Sequence, residues 1–347
     1  MKKRIGVLTF QQSSNYGAIM QAYALNKALN NLGSDCETIN YNCSAIARAN
    51  YVKCSTVKAL LKNVYKAWKK YWCTQFVKNN IRLSPAYNKK SIKNSFYDAY
   101  VVGSDQIWNP HCTGDDRTYF LDFIQDKQKK YSYAASIGLK GEEALGIIND
   151  HKKLLDDFAD VSLREHIDDD RVLELVSTNV RYDIDPVFLL SRNEWKKICG
   201  KRCIKDKYIF VYLIGNPVGL EEFAQKLSKE TGYKIISSKK RGDFMRHCKP
   251  EDFLSWINNA EYIVTNSFHG TALSIIYHKE FYVECTGVSG FNYRVGGLLK
   301  LLGLTDRVIE YGCSIDLDKK IEYEAVDKMA EDNRRDSMKY LKNIINS

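Results

Sequence analysis

Between Thr38 and Tyr97 the chain contains no aspartate and no glutamate. Two arginines and ten lysines give that block a charge of +12, and the other 287 of the 347 residues sum to −2. The net charge of +10 is therefore a local property and not an even coat. Long apolar runs are also missing. No stretch approaches the ~20 apolar residues of a membrane span. The apolar run behind Met1-Lys2-Lys3-Arg4 is about six residues long with no small-residue cleavage site after it, so it reads as a first strand and not as a secretion signal. The expected location is cytoplasmic, at most against the inner face of the cell membrane. Proline is scarce at five residues, and 44% hydrophobic with 27% charged residues excludes a sizeable disordered tail. Paired cysteines at metal spacing are absent too. The ten cysteines are scattered, and Cys199 and Cys203 lack both the two-residue spacing and the second pair of a zinc site. Reduced structural thiols and no metal are expected.

Inside the basic block, VKALLKNVYKAWKKYWCTQF (57–76) places Val57, Leu60, Leu61, Val64, Trp68, Tyr71, Trp72 and Phe76 at helical spacing, with Lys58, Lys62, Lys66, Lys69 and Lys70 opposite. Two outcomes fit this pattern. The apolar face docks on the domain core and the lysines are solvated, or the helix lies in an anionic membrane interface, where each basic residue contributes ~1 kcal/mol. Nucleic acid is disfavoured, because the aromatics lie opposite the lysines instead of alternating with them.

Strand-like and helical patterns alternate over most of the chain. RIGVLTF, YDAYVVGSD, KKYSYAASIG and FADVSLRE read as strands, and AIMQAYALNKALNNLG reads as a helix. The pattern pauses near Asp185-Pro186, and after KKICGKRCIKDK it restarts with YIFVYLIG, YKIIS, EYIVT and EFYVE separated by helices. The expected fold is α/β, with two Rossmann-like domains facing across a cleft. Residues 1–190 form the first, 191–322 the second, and a last helix within 323–347 returns to the first. In such sheets ligands sit beyond the carboxyl ends of the strands. That rule selects Ser13 to Gly17, Gly103 to Asn109, Ser162 to Arg164, and Asn266 to Thr271.

The ordered set NYGAIMQAYAL, VVGSDQIWNP, YAASIG, VSLRE, DPVFLL, NSFHGT and NYR resembles the polysaccharide pyruvyl transferase family over about nine-tenths of the chain. The resemblance implies a GT-B-like pair of domains. It also implies transfer of a pyruvyl group from phosphoenolpyruvate to two hydroxyls of one sugar, with release of phosphate and no cofactor beyond that donor. The acceptor implied is a bacterial glycan precursor, often lipid-linked. The oligomeric state is not legible.

This chemistry needs cations for a donor whose phosphate alone carries about −1.5 to −2. Arg164 and Arg294 are the candidates, since guanidinium grips carboxylate or phosphate through paired donors; each also reads as a surface charge or a structural ion pair. Protonating the methylene carbon of the enol needs a general acid, and His269 is the candidate; a capping or packing histidine is the plain alternative. Gly270 would let the backbone pass close to a ligand, and Ser267 and Thr271 flank a helix N-terminus that favours an anion. On the acceptor side stand Asn15, Tyr16, Gln21, Gln106, Trp108 and Asn109, with Asp105 to take the hydroxyl proton. Asp105 reads equally as a helix cap and Trp108 as core. Two other functions remain open at this stage: a nucleotide-sugar glycosyltransferase on the same architecture, and a non-catalytic glycan-binding protein at a membrane surface.

Overall fold

The computed structural model describes residues 2–49, 57–93, 97–167, 169–215, 217, 219–240, 242–284, 293–309 and 317–347, with backbone alone at 49, 57–59, 61 and 62. Asn292 of the NYR motif, and the side chains of Val57, Lys58, Leu61 and Lys62 of the basic helix, lie outside the described residues. The chain divides into two compact units, Met1–Leu189 with Asn333–Ser347, and Leu190–Asp332.

The first unit is built on seven parallel strands: β1 (Arg4–Leu8), β2 (Asp35–Tyr41), β3 (Leu83–Tyr87), β4 (Ala99–Val102), β5 (Lys130–Ser132), β6 (Asp160–Leu163) and β7 (Asn179–Tyr182). Their spatial order is β3-β2-β1-β4-β5-β6-β7. Side chains alternate across the sheet as the strand period requires. Ile5, Val7, Ala99 and Val101 face the helix Tyr16–Asn31 and the Tyr340, Leu341 and Ile344 side chains of the last helix. Leu8, Tyr100 and Val102 face the opposite core around Trp108, Tyr119 and Phe120. Strand order reverses between β1 and β4, which pair in register from Ile5 with Ala99 to Leu8 with Val102. The loops leaving these two strands therefore flank the switch point, where α/β sheets bind ligands.

The second unit holds β8 (Tyr208–Tyr212), β9 (Lys234–Ser237), β10 (Tyr262–Thr265) and β11 (Glu280–Val283), all parallel, in the order β11-β10-β8-β9. YIFVY and YIVT are apolar without alternation because both faces of a parallel sheet are covered. Ile209, Val211 and Val264 pack on the helix Leu220–Thr231, while Phe210 and Tyr212 join Phe253 on the other face, with Phe210 also reaching Trp256. The switch point here falls between β8 and β10.

Gly103 closes β4 at φ +126°, and a Cβ there would lie 2.3 Å from the Tyr133 carbonyl oxygen. Both constraints act on one residue at the mouth of the first switch point. Gly103→Ala is expected to lower unfolding free energy by about 2–4 kcal/mol, seen as a lower urea midpoint at unchanged slope.

Candidate functional site

In the first unit the side chain of Gln21, fully buried, ties the switch point together. Its Nε2 donates to Thr9 Oγ1 at 2.8 Å and to the Ala18 carbonyl, and its Oε1 accepts from Ser104 N at 3.1 Å. One amide thus joins the β1 loop, the first helix and the β4 loop. Gln21 was expected to face the acceptor, but its polar atoms are engaged in holding these loops. Asn15 caps the helix Tyr16–Asn31 by accepting from Gly17 N at 2.9 Å, and it is exposed. Tyr16 is buried, with Lys69 Nζ 3.8 Å from its ring centre.

Beyond these loops lies a cavity of about 350 Å³ whose lining includes Phe10, Ser13, Asn15, Asp105, Gln106 and His111. It is within the size range of small-ligand sites, and three of the expected acceptor-side residues contribute to it. Asp105 holds φ +69° and its carbonyl accepts from Ser136 N at 3.0 Å. Asn109 is buried, caps the turn that follows by accepting from His111 N, and donates to Gln106 Oε1 at 2.8 Å. Trp108 differs from the expectation of a sugar-stacking ring. It is buried against Phe120 and Phe158, and its Nε1 donates to the Tyr119 carbonyl at 2.9 Å. The indole is therefore a core residue that anchors the loop behind the cavity.

Arg164, directly after β6, has a side chain only 2% exposed, and its Nη1 donates to Asp185 Oδ2 at 2.7 Å. Glu165 lies 3.6 Å and Asp105 3.8 Å from other guanidinium nitrogens. Burial works against its charge, but Asp185, Glu165 and Asp105 together hold its pKa above the ordinary arginine value. Three carboxylates among the described residues thus surround one guanidinium. These ion pairs give Arg164 a part in fixing the carboxylates, a structural ion pair being one of the two readings expected of it. Two of the carboxylates have further work. Glu165 Oε1 accepts from Ser136 Oγ, Ile137 N and Gly138 N, so it holds the YAASIG loop, and Asp185 accepts from Val187 N. Sequence reading marked Asp185 by a pause in the pattern and by the DPVFLL stretch but not its pairing with Arg164, which lies 21 residues earlier.

In the second unit, NSFHGT runs from the end of β10 into the helix Phe268–Ile276. Asn266 bridges the switch point: its Oδ1 accepts from Ile214 N and its Nδ2 donates to the Ile214 carbonyl, both at 2.8 Å. Ser267 caps the helix by accepting from Gly270 N at 3.2 Å, and Thr271 is fully buried with its hydroxyl donating to the Ser267 carbonyl. His269 is the second residue of this helix, 7% exposed, edge-on to Phe268. Gly270 has a different reason from the one expected. A Cβ there would meet Thr265 Oγ1 at 2.8 Å and Tyr212 Cδ1 at 3.2 Å, so the glycine lets the helix sit close on its own sheet. Arg294 is buried in the first turn of the helix Tyr293–Leu301, which packs on the helix carrying His269. Glu284, immediately after β11, was missed at the sequence level. Its backbone N donates to the Thr265 carbonyl, and burial raises its carboxyl pKa above the ordinary range.

The same unit brings one ligand-type atom each of Cys203, His247 and Asp252 within 4.8 Å of one another, a grouping that sequence spacing did not reveal. Burial pushes the Cys203 thiol up to about 12.

A family model described as polysaccharide pyruvyl transferase matches residues 15–283. That span takes in Asn15, Asp105, Arg164 and His269 and ends before Arg294. Among curated proteins no relative matches. Among solved structures, the UDP-GlcNAc 2-epimerase from Methanocaldococcus jannaschii is similar at 13% identity and TM-score 0.46, covering 95% of this chain and 92% of that one. The UDP-N-acetylglucosamine 2-epimerase from Rickettsia bellii is similar at 11% identity and TM-score 0.45, covering 99% and 98%. The LPS heptosyltransferase II of E. coli is similar at 9% identity and TM-score 0.33, covering 96% and 99%.

Two outcomes follow from this geometry. Arg164→Ala leaves three buried carboxylates without their cation and is expected to lower unfolding free energy by about 3–5 kcal/mol in urea titration. For Glu284 the sign is set by its raised pKa: the protonated form is favoured on folding, so its contribution is full below the ordinary carboxylate range and is lost as pH rises through the folded value. Glu284→Gln, neutral throughout, is therefore expected to melt higher than the parent at about pH 8 and to lose that advantage near pH 4.

Proposed function

The chain belongs to the polysaccharide pyruvyl transferase family, and from that premise we propose that it moves a pyruvyl group from phosphoenolpyruvate onto two hydroxyls of one sugar in a lipid-linked polysaccharide precursor, releasing phosphate. The observation that carries the reading is His269, set by a strand of the second unit at the first turn of a helix, beside that sheet's switch point.

In this proposal the second unit handles the donor. Its anionic groups are met by the Arg294 guanidinium and by the N-terminus of the helix Phe268–Ile276, whose dipole favours negative charge. The His269 imidazolium gives its proton to the methylene carbon, which becomes a methyl group and leaves C2 as an oxocarbenium centre. The first sugar hydroxyl adds to C2 and its proton passes to a base. The C2–O bond to phosphate then breaks, phosphate departs with the bonding pair, and the second hydroxyl closes the ketal with loss of its own proton. Fixing a proton donor at the carbon that must accept it contributes about 10²–10⁴ in rate.

The first unit handles the acceptor. The cavity lined by Asn15, Asp105 and Gln106 is the proposed sugar site, and Asp105 is the proposed base. Arg164 is a positioning residue in this scheme: 3.8 Å from Asp105, it orients that carboxylate while Asp185 takes the direct ion pair. No cofactor besides the donor enters the scheme.

Incubation with phosphoenolpyruvate and lipid-diphosphate glycans is expected to release phosphate only when an acceptor is present, and to add a pyruvyl mass to the glycan. His269→Ala is expected to cut that rate by about 10²–10⁴ while leaving the circular dichroism unchanged. Phosphate release that ignores both the acceptor and His269 would refute the scheme.

A further inference from the structure

The basic helix, Val57–Asn80, does not dock its apolar stripe on the core, the first of the two expectations. Its buried contacts are Cys73, Phe76 and Val77, and Phe76 meets Tyr23 of the first helix edge-on with ring centres 5.8 Å apart. The lysine side takes part in the docking: Lys69 lies over the Tyr16 ring and Lys66 is half-buried. Phe76 thus leaves the apolar stripe that helical spacing assigned it to. Four other residues of that stripe point to solvent, with Leu60 55%, Val64 60%, Trp68 50% and Tyr71 52% exposed, and Trp72 is half-buried. Steps of four, four and three residues put these side chains on one line along the helix. They are four of the six large hydrophobic side chains exposed among the described residues, so the exposure is concentrated and not scattered. Trp68, Tyr71 and Trp72 also pack on one another, with ring centres 5.1 to 6.5 Å apart, which fixes the aromatic part of the line as a surface.

Charge selects what covers it. The stripe runs through a sixty-residue block with twelve cations and no acid. A second copy applied through the same face would bring two such blocks together, and like charges oppose that association. An anionic lipid surface meets both properties at once. Tryptophan and tyrosine suit the headgroup boundary, and the cations of the block, Lys78 on the exposed side among them, are drawn to anionic lipid within a Debye length. Among the described residues no helix is long and apolar enough to cross a membrane, so the geometry is that of a helix lying in the interface.

We propose that the helix Val57–Asn80 seats the protein on anionic lipid, with Leu60, Val64, Trp68 and Tyr71 immersed and the exposed Lys78, two turns on from Tyr71 on the same side, at the headgroups. This seating rests on the exposed stripe and the charge block, and it stands or falls separately from the ketal chemistry.

The test is sedimentation of the full chain with vesicles of phosphatidylcholine alone or mixed with phosphatidylglycerol, at low and high salt, beside sedimentation-velocity measurement without lipid. Binding is expected only to the phosphatidylglycerol vesicles, weakened by salt, with a blue shift of tryptophan emission. The exposed-site variant Trp68→Ser/Tyr71→Ser, checked for folding by its melting curve, is expected to bind about tenfold or more weakly, and Lys78→Glu is expected to weaken binding at low salt only. Absence of binding to phosphatidylglycerol vesicles overturns the proposal, as does binding that is indifferent to the stripe variant. Lipid-free self-association abolished by that variant also overturns it and gives the face to a second copy.

Discussion

A guanidinium enclosed by three carboxylates organises the first unit. Arg164 has almost no contact with water, and it draws together Asp185, from the turn after β7, Asp105, from the loop after β4, and its own neighbour Glu165. Two of these acids hold backbone as well. Glu165 accepts three hydrogen bonds from the loop after β5, and Asp185 accepts from Val187 N. A single buried charge therefore sets the positions of several loop segments that the sheet alone would leave independent. Buried ion clusters of this kind add little net stability but are costly to break, which suits a device for holding geometry.

The second unit meets the same need with neutral groups. Asn266 spans the two strands at the switch point through a pair of hydrogen bonds to one residue, Ile214, while Thr265 and Ser267 satisfy the backbone around it. The helix behind them sits close enough that Gly270 has no room for a side chain. His269 is thus carried on rigid backbone, and an imidazole so held loses little orientational freedom when a reaction requires it. The two units arrive at pre-organised loops by different physics, one through charge and the other through fixed amides and hydroxyls.

Much of this was legible in the residues. Apolar runs ending in polar clusters marked β1, β4, β6, β8, β10 and β11, because parallel strands buried on both faces need no polar alternation. The strands DCETINY, LSPAY and NVRY were not visible: β3 and β7 are the edges of the sheet, and β2 mixes polar with apolar side chains. Periodicity found the basic helix but not which side of it docks. A helical stripe reports which residues share a face; it is silent on whether a phenylalanine and two lysines some distance around the cylinder make better contacts with the neighbouring helix. The fates of Trp108 and Arg164 were hidden for a related reason. Motif position said that both follow strands, whereas burial depends on Phe120, Phe158 and Asp185, which are remote in sequence.

The wall of the first unit formed by Tyr340, Leu341 and Ile344 is supplied by the far end of the chain, after the whole second unit has been traced. A piece cut at Leu189 would leave Leu25, Leu29 and Leu189 facing water on one side of its sheet. During synthesis the order of completion is correspondingly inverted: the half that starts first finishes last, holding a greasy flank open until the closing helix leaves the ribosome.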